Sequence, residues 1–376
     1  MDAPAFPSLP VPPGLRGLDV VAASLRDLLA GRRGGFRLVA SRAGIEPAGG
    51  PDDAPADVIV PTSGSTGEPR GVVLSREALI ASADLGAAAL GPPGAWLTAL
   101  PLTGVGGLLT VVRSLRAGHV PEAWPGIGGA ASFTAASFTE SATGLLQRTS
   151  WVGQPAYVSL VPTQLHRILQ DAGATAAAAA FHRILVGGAP LAGALADRAR
   201  AAGLRIVATY GASETGGGVV YDGLPLPGVG VEIVDGLVEV SGPTVATGYL
   251  DGPRFGGVVR THDRGEWVDG RLQILGRDDQ VVKVGGRMVS LSAVTRILLA
   301  DPRVLDAVVV AGESEEWGAV PRAFVVAAPP PPADLVDSLT ALVARELGPG
   351  HRPHTMTVVP DLPVNAAGKP LLRDEP

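Results

Sequence analysis

The chain has 376 residues, 46% hydrophobic and 18% charged, and its 30 basic and 36 acidic residues give a net charge of −6. That length accommodates two domains and a large core, the composition is globular, and the acidic balance argues against a generic nucleic-acid binder. Cysteine is absent, which excludes disulfides, thiolate nucleophiles and Cys-ligated zinc.

Met1 to Gly14 is proline-rich and lacks the basic start and apolar core of a signal peptide. No run of about 18 apolar residues marks a membrane span, so a cytoplasmic protein is expected. Leu18 to Gly31 has helical spacing, with Leu18, Val21, Leu25, Leu28 and Leu29 on one side. A short strand over Phe36 to Ala40 and a Gly/Pro/Asp loop over Gly49 to Ala56 follow. Val58-Ile59-Val60 and Val72-Val73-Leu74 read as strands around a loop. Ser75 caps a helix running to about Leu90.

Trp96 to Leu100 reads as a buried strand, Gly106 to Ala117 as a helix, and Ala130 to Gln147 as mostly helical. Ala156 to Val161 is a strand, and Thr163 is expected to cap a helix through Ala172. Arg183 to Val186 and Arg205 to Tyr210 are strands around a helix that ends near Ala202. Repetition of strand, loop and helix with apolar strands predicts a parallel α/β sheet. After Gly217 short alternating strands predict a β-rich subdomain, and after Gly276 a small α+β domain. His351 and His354, beside Gly350 and Pro353, read as a solvated turn rather than a metal pair.

The stretch Pro61-Thr62-Ser63-Gly64-Ser65-Thr66-Gly67-Glu68-Pro69-Arg70-Gly71 combines glycines, hydroxyls and a cation between two apolar runs. Glycines permit sharp turns and close approach, and free N–H groups can surround a polyanion. Such a stretch is also compatible with a surface turn, and it departs from the Walker pattern because Gly67 is followed by Glu68-Pro69-Arg70. Further loops come in a definite order: Gly187-Gly188-Ala189-Pro190, Tyr210-Gly211-Ala212-Ser213-Glu214-Thr215, Thr261-His262-Asp263-Arg264-Gly265 before a strand, Gly276-Arg277-Asp278-Asp279, Gly285-Gly286, and Pro363 to Lys369. Each alone also has a bland reading as a turn, a cap or a solvated charge.

In this order, from Val60 to Lys369, the loops resemble those of the adenylate-forming enzymes: acyl-CoA synthetases, adenylation domains of peptide synthetases, and luciferases. The resemblance implies activation of a carboxylate by ATP as an acyl-adenylate, with Mg2+, and transfer to a thiol such as coenzyme A. It implies that Ser63, Gly64, Ser65, Thr66 and Gly67 cradle phosphates with Arg70, and that Thr66 and Glu214 hold the metal. Gly188, Ala189 and Pro190 line the adenine, and Tyr210 stacks on it within the Gly211-Ala212-Ser213-Glu214-Thr215 motif. Asp263 takes the ribose, assisted by Arg277. Lys369 reaches the α-phosphate and the carboxylate. The implied fold is a large α/β N-terminal domain, residues 1–276, of mostly parallel sheets with a β-rich subdomain. A small mobile α+β C-terminal domain, 277–376, is hinged at Asp279 and brings Gly285 and Gly286 to the thioester step.

Gly91 to Leu97, Val112 to Gly118, Tyr157 to Leu165 and Thr209 to Gly223 further resemble actinobacterial o-succinylbenzoate–CoA ligases of menaquinone biosynthesis. In that case the acid is an aromatic dicarboxylate, with Gly104, Ser159, Gly211 and Gly216 as candidate pocket residues. Arg113 and Arg116 are equally readable as surface charges. Gly104 stands where related ligases often have histidine. A ligase for another aryl or acyl acid, or an adenylation domain loading a carrier protein, stays open, as does a homodimer. A hydrolase is disfavoured because no Gly-x-Ser-x-Gly elbow occurs.

Overall fold

The computed structural model describes residues 7–40, 57–62, 70–314 and 318–362. Strands β1 (Ser8–Val11), β2 (Phe36–Ala40) and β3 (Asp57–Thr62) are parallel, and β4 (Arg70–Ser75) returns antiparallel to β3. Helix α1 (Leu15–Leu29) buries Leu18, Val21, Leu25 and Leu28, with Leu29 packed at the edge. Each such leucine contributes roughly 1.5–3 kcal/mol of transfer free energy. Helix α2 (Arg76–Leu90) begins at Ser75, whose hydroxyl accepts the Ala78 N–H at 3.0 Å, which satisfies one orphan donor of the first turn.

The central sheet is assembled next. β5 (Ala95–Thr98) leads to α3 (Val105–Arg116) and β6 (Glu122–Ala123), then to α4 (Ala135–Trp151) and β7 (Ala156–Leu160). α5 (Pro162–Leu169), α6 (Ala172–Ala179), β8 (Arg183–Val186), α7 (Gly193–Ala201) and β9 (Ile206–Ala212) follow. β5 to β9 are parallel, in the order β9-β8-β7-β5-β6. β10 (Gly217–Tyr221) and β11 (Leu224–Pro225) extend the sheet antiparallel beyond β9. Because side chains alternate, Trp96, Thr98, Tyr157 and Ser159 share one face, which α3 covers through the 2.6 Å contact of the Thr98 and Thr110 hydroxyls.

Two of the expected helices differ in their bounds. The helix after β7 starts at Pro162, not under a Thr163 cap, because proline suits the first helical position and the Gln164 side chain accepts the Val161 N–H at 3.1 Å. It ends at Leu169, and α6 is a separate helix, with Asp171 accepting the Ala174 N–H at 2.7 Å. α4 starts at Ala135 rather than near Ala130, under a capping box made by Thr134 and Ser137.

The β-rich part is a four-stranded antiparallel sheet of β12 (Gly230–Val234), β13 (Leu237–Ser241), β15 (Val258–Val268) and β16 (Arg271–Arg277). Between β13 and β15, the two-residue β14 (Gly248–Tyr249) crosses back to pair with β4. The Thr261–Gly265 stretch, expected ahead of a strand, lies inside β15. The C-terminal sheet holds β17 (Val281–Val284), β18 (Arg287–Ser290), β19 (Val304–Ser314), β20 (Gly318–Ala327) and β21 (Thr355–Val358), with α8 (Leu291–Leu299) and α9 (Leu335–Leu347). Among the described residues no helix is long and apolar enough to cross a membrane.

Asp306 on β19 is buried, and loss of water pushes its carboxyl up to about 7, reinforced by the charge of Asp361 and opposed by the Ala307 N–H. The folded carboxyl therefore keeps a proton that the unfolded chain releases near the ordinary value of 3.8. The stability it contributes is full below pH 3.8 and is lost as pH rises through about 7. Asp306→Asn is expected to raise the urea midpoint relative to the parent more at pH 8 than at pH 5, because the loss accumulates between 3.8 and about 7; equal shifts at both would contradict this.

Candidate active site

β9 ends where parallel strands of an α/β sheet usually meet ligands, at the carboxyl edge. There the Thr215 hydroxyl accepts the Ala212 N–H at 2.8 Å and lies 2.8 Å from the Gly217 carbonyl. This buckle turns the chain into β10 and leaves Ser213 and Glu214 half-buried at the edge. Gly216 completes the turn at φ +72°, where an added Cβ would sit 2.2 Å from the Thr244 carbonyl. At Gly211 a Cβ would sit 1.9 Å from the Gly217 carbonyl. Close backbone approach therefore dictates both glycines.

The Tyr210 hydroxyl donates to Asp263 Oδ2 at 2.9 Å. Asp263 and Arg277 stand directly opposite across β15 and β16, and Arg277 Nη1 donates to Asp263 Oδ1 at 3.3 Å. The same guanidinium holds Asp279 with two bonds, Nε to Oδ1 at 2.8 Å and Nη2 to Oδ2 at 2.7 Å. Burial, then the Asp263 charge, push the Tyr210 phenol far up, so it stays a donor. Burial also raises the Asp263 carboxyl, against the pull of Tyr210 and Arg277. A carboxylate offers about four lone-pair sites, so two remain for a ligand. Hydrogen bonding to Asp279 raises the Arg277 guanidinium, which stays charged.

A second cluster lies alongside. The Tyr249 hydroxyl donates to Glu214 Oε1 at 3.1 Å, and the Arg70 guanidinium sits 4.2 Å from the centroid of the Tyr249 ring. Glu214 acts electrostatically on both Asp263 and Arg277, which makes one continuous polar site. Arg70 faces Thr62 across the β3–β4 pair, whose connection carries Ser63 to Gly67. The expected phosphate loop is thus flanked by two strands, not followed by a helix. Tyr249 was not expected; the only local sign is Gly248-Tyr249 between turn residues.

Of the residues expected to line an acid pocket, Ser159 is buried near the end of β7, and Gly104 is the N-cap of α3. An added Cβ at Gly104 would meet only the Pro101 carbonyl, at an ordinary 3.5 Å, so a side chain fits there. Gly188 takes φ +80° just past β8, with Ala189 half-buried and Pro190 exposed. Arg116 is an exposed charge paired with Asp84. Arg113, also readable as a surface charge, is 5% exposed instead. Its Nη2 donates to the Tyr221 hydroxyl at 3.1 Å and its guanidinium lies 4.8 Å from the Trp96 ring centroid. Among the described residues no carboxylate pairs with it and its Nε has no partner. The Gly285-Gly286 turn between β17 and β18 is exposed. Ser63, Gly64, Ser65, Thr66, Gly67 and Lys369 lie outside the described residues.

A family model described as AMP-binding enzyme matches residues 39–250, and one described as AMP-binding enzyme C-terminal domain matches 294–369. A Mycobacterium tuberculosis protein named "Probable 2-succinylbenzoate–CoA ligase" is 37% identical over 83% of this chain and 82% of its own length. A solved structure of an Escherichia coli MenE variant with bound OSB-AMS is 27% identical, with a TM-score of 0.63 over 86% of this chain and 70% of that one. The amide bond synthetase McbA from Marinactinospora thermotolerans shares the fold, with a TM-score of 0.70 and 22% identity over 98% of this chain and 88% of that one.

If Asp263 receives a nucleotide ribose, AMP affinity measured by calorimetry falls as the pH drops through a value above the ordinary 3.8, because the protonated carboxyl loses an acceptor. Asp263→Asn is expected to bind AMP weakly at every pH, without that acid limb. Unchanged affinity in the variant would sink the assignment.

Proposed function

The chain belongs to the AMP-binding enzyme family, and we propose that it is a 2-succinylbenzoate–CoA ligase that uses ATP. The first half-reaction joins a carboxylate oxygen of the acid to the α-phosphorus and releases pyrophosphate. In the second, the coenzyme A sulfur attacks the acyl carbon and AMP departs. The identity with the Mycobacterium tuberculosis relative over most of both chains supports this reading.

Bringing an anionic acid onto a triphosphate requires oriented positive charge. We assign Arg70, with Ser63 to Gly67, to the β- and γ-phosphates. Asp263, held by Tyr210 and Arg277, accepts from the ribose hydroxyls. Gly188, Ala189, Pro190 and the Tyr210 ring border the adenine. Lys369 neutralises charge between the α-phosphate and the incoming carboxylate. Among the described residues no three His, Cys, Asp or Glu side chains gather into a metal cage. Glu214 and Thr66 fit Mg2+, which takes few protein oxygens and draws the rest from phosphates and water; the ion would supply charge neutralisation. The part from 277 onward turns about Asp279 between the half-reactions, with Gly285 and Gly286 serving thioester formation.

The observation that carries the choice of acid is Arg113. A buried guanidinium without a counter-charge is costly, and a dicarboxylate has a second anion to give it. Trp96, under the guanidinium, lies on the same sheet face as Ser159, and Trp96 and Thr98 are two residues apart, about 7 Å along the strand.

Protein supplied with 2-succinylbenzoate, ATP, Mg2+ and coenzyme A is expected to release AMP and form the thioester. Turnover confined to other acids in a panel would remove this substrate. Arg113→Gln is expected to raise KM for 2-succinylbenzoate by about tenfold or more, in keeping with the loss of a buried charge partner, while KM for ATP holds. An unchanged KM for the acid would remove Arg113 from its recognition.

A further inference from the structure

Helix α5 joins the acid side of the site to the end of the described chain. It leaves the carboxyl edge of β7, the strand that carries Ser159. From α5, Arg167 donates through Nε to Asp361 Oδ2 and through Nη1 to the Phe133 carbonyl at 3.4 Å. Both members of this ion pair are largely buried, their side chains 23% and 32% exposed. Beside it His166, almost fully buried, meets the Gln170 side chain through Nε2 at 2.8 Å.

The far side of Asp361 is just as constrained. Leu362, 1% exposed, packs with Leu305 and Val326 of the C-terminal sheet, and Ala194 of α7 packs against the same cluster. The chain at 361–362 is thus fixed between α5 and α7 on one side and β19 and β20 on the other. Lys369 follows Leu362 by seven residues, a span of at most about 24 Å when extended. The Gly285-Gly286 turn, by contrast, is exposed, and a Cβ on Gly286 would meet nothing within 4 Å. Fixing the chain at 361–362, within reach of Lys369, suits the first half-reaction.

We propose that Arg167 is a positioning residue for adenylation: its ion pair with Asp361 fixes the chain at 361–362, seven residues before Lys369, against α5. The inference rests on the role assigned to Lys369 above. Asp361 Oδ1 is buried without a hydrogen-bond partner among the described residues, and the Asp306 carboxyl lies near enough to interact with it. The Arg167 guanidinium therefore supplies the favourable charge at this point. Removing it leaves a partly buried, half-satisfied carboxylate, which favours release of the segment into water.

The test separates the half-reactions in the full-length enzyme. Pyrophosphate release is followed with ATP and 2-succinylbenzoate in the absence of coenzyme A, and thioester formation with the synthetic acyl-adenylate and coenzyme A. Arg167→Gln is expected to slow adenylate formation roughly tenfold to a hundredfold, as misplacement of a catalytic group does, with transfer from the preformed adenylate unslowed. Asp361→Asn should reproduce the asymmetry, and the exchanged pair Arg167→Asp with Asp361→Arg should recover much of the first rate. Equal losses in both half-reactions, or no loss in either, would overturn the proposal. Lys369→Ala serves as the companion: if it spares adenylation, the role of Lys369 fails; if it is selective while Arg167→Gln is not, the role of Arg167 alone fails. Thermal unfolding of each variant distinguishes misfolding from mispositioning, and Asp361→Asn carries the test if Arg167→Gln does not fold.

Discussion

The guanidinium of Arg277 binds two carboxylates in different directions. Asp279, two residues ahead in the turn after β16, takes the Nε and Nη2 edge, while Asp263, directly across the sheet, takes Nη1. Only a planar fork with several fixed donors can do both, and an ammonium in its place would act as a point charge. This junction fixes the path by which the chain leaves the β-rich sheet for β17. It also sets a positive charge between Asp263 and Asp279, within the field of Glu214.

Separate sheets contribute to the polar site. Arg70 comes from the sheet of β1 to β4, Tyr210 and Glu214 from the end of the central sheet, and Asp263 and Arg277 from the antiparallel sheet. Tyr249 ties the first two: its strand pairs with β4, its ring lies under Arg70, and its hydroxyl holds Glu214. The Thr215 buckle and the close-packed glycines let this edge form at short range. Preorganisation of this kind, set up by folding rather than by the ligand, makes fixed charges effective in a partly desolvated site.

Much of this was legible in local sequence. The apolar strands, the Ser75 cap and the face of α1 follow from spacing and capping chemistry, and the order of loops pointed to Glu214, Asp263 and Arg277 together. What was not legible depended on distant partners. Tyr249 sits in a strand of two residues, too short to carry a period, and its partners come from two other elements. Arg113 ends a helix as an ordinary charge would; its burial is set by Trp96 and by Tyr221, 108 residues away. The polar alternation around Asp263 concealed a strand whose two faces are unequally exposed. Pro162 displaced Thr163 as the helix start because a proline at the first position competes with a hydroxyl cap.

The isolation of Arg113 also bears on how the protein trades durability for selectivity. Arg113 is a cation removed from water and met by an aromatic ring and a phenol, without a carboxylate among the described residues. The folded state thereby carries an electrostatic strain that an apolar side chain of similar volume would relieve. Selection for robustness alone would favour that replacement, and on the role proposed for Arg113 the protein would become sturdier while losing its means of distinguishing acids by their second charge. An anion seated there would discharge the strain, so the proposed dicarboxylate would stabilise the fold that selects it.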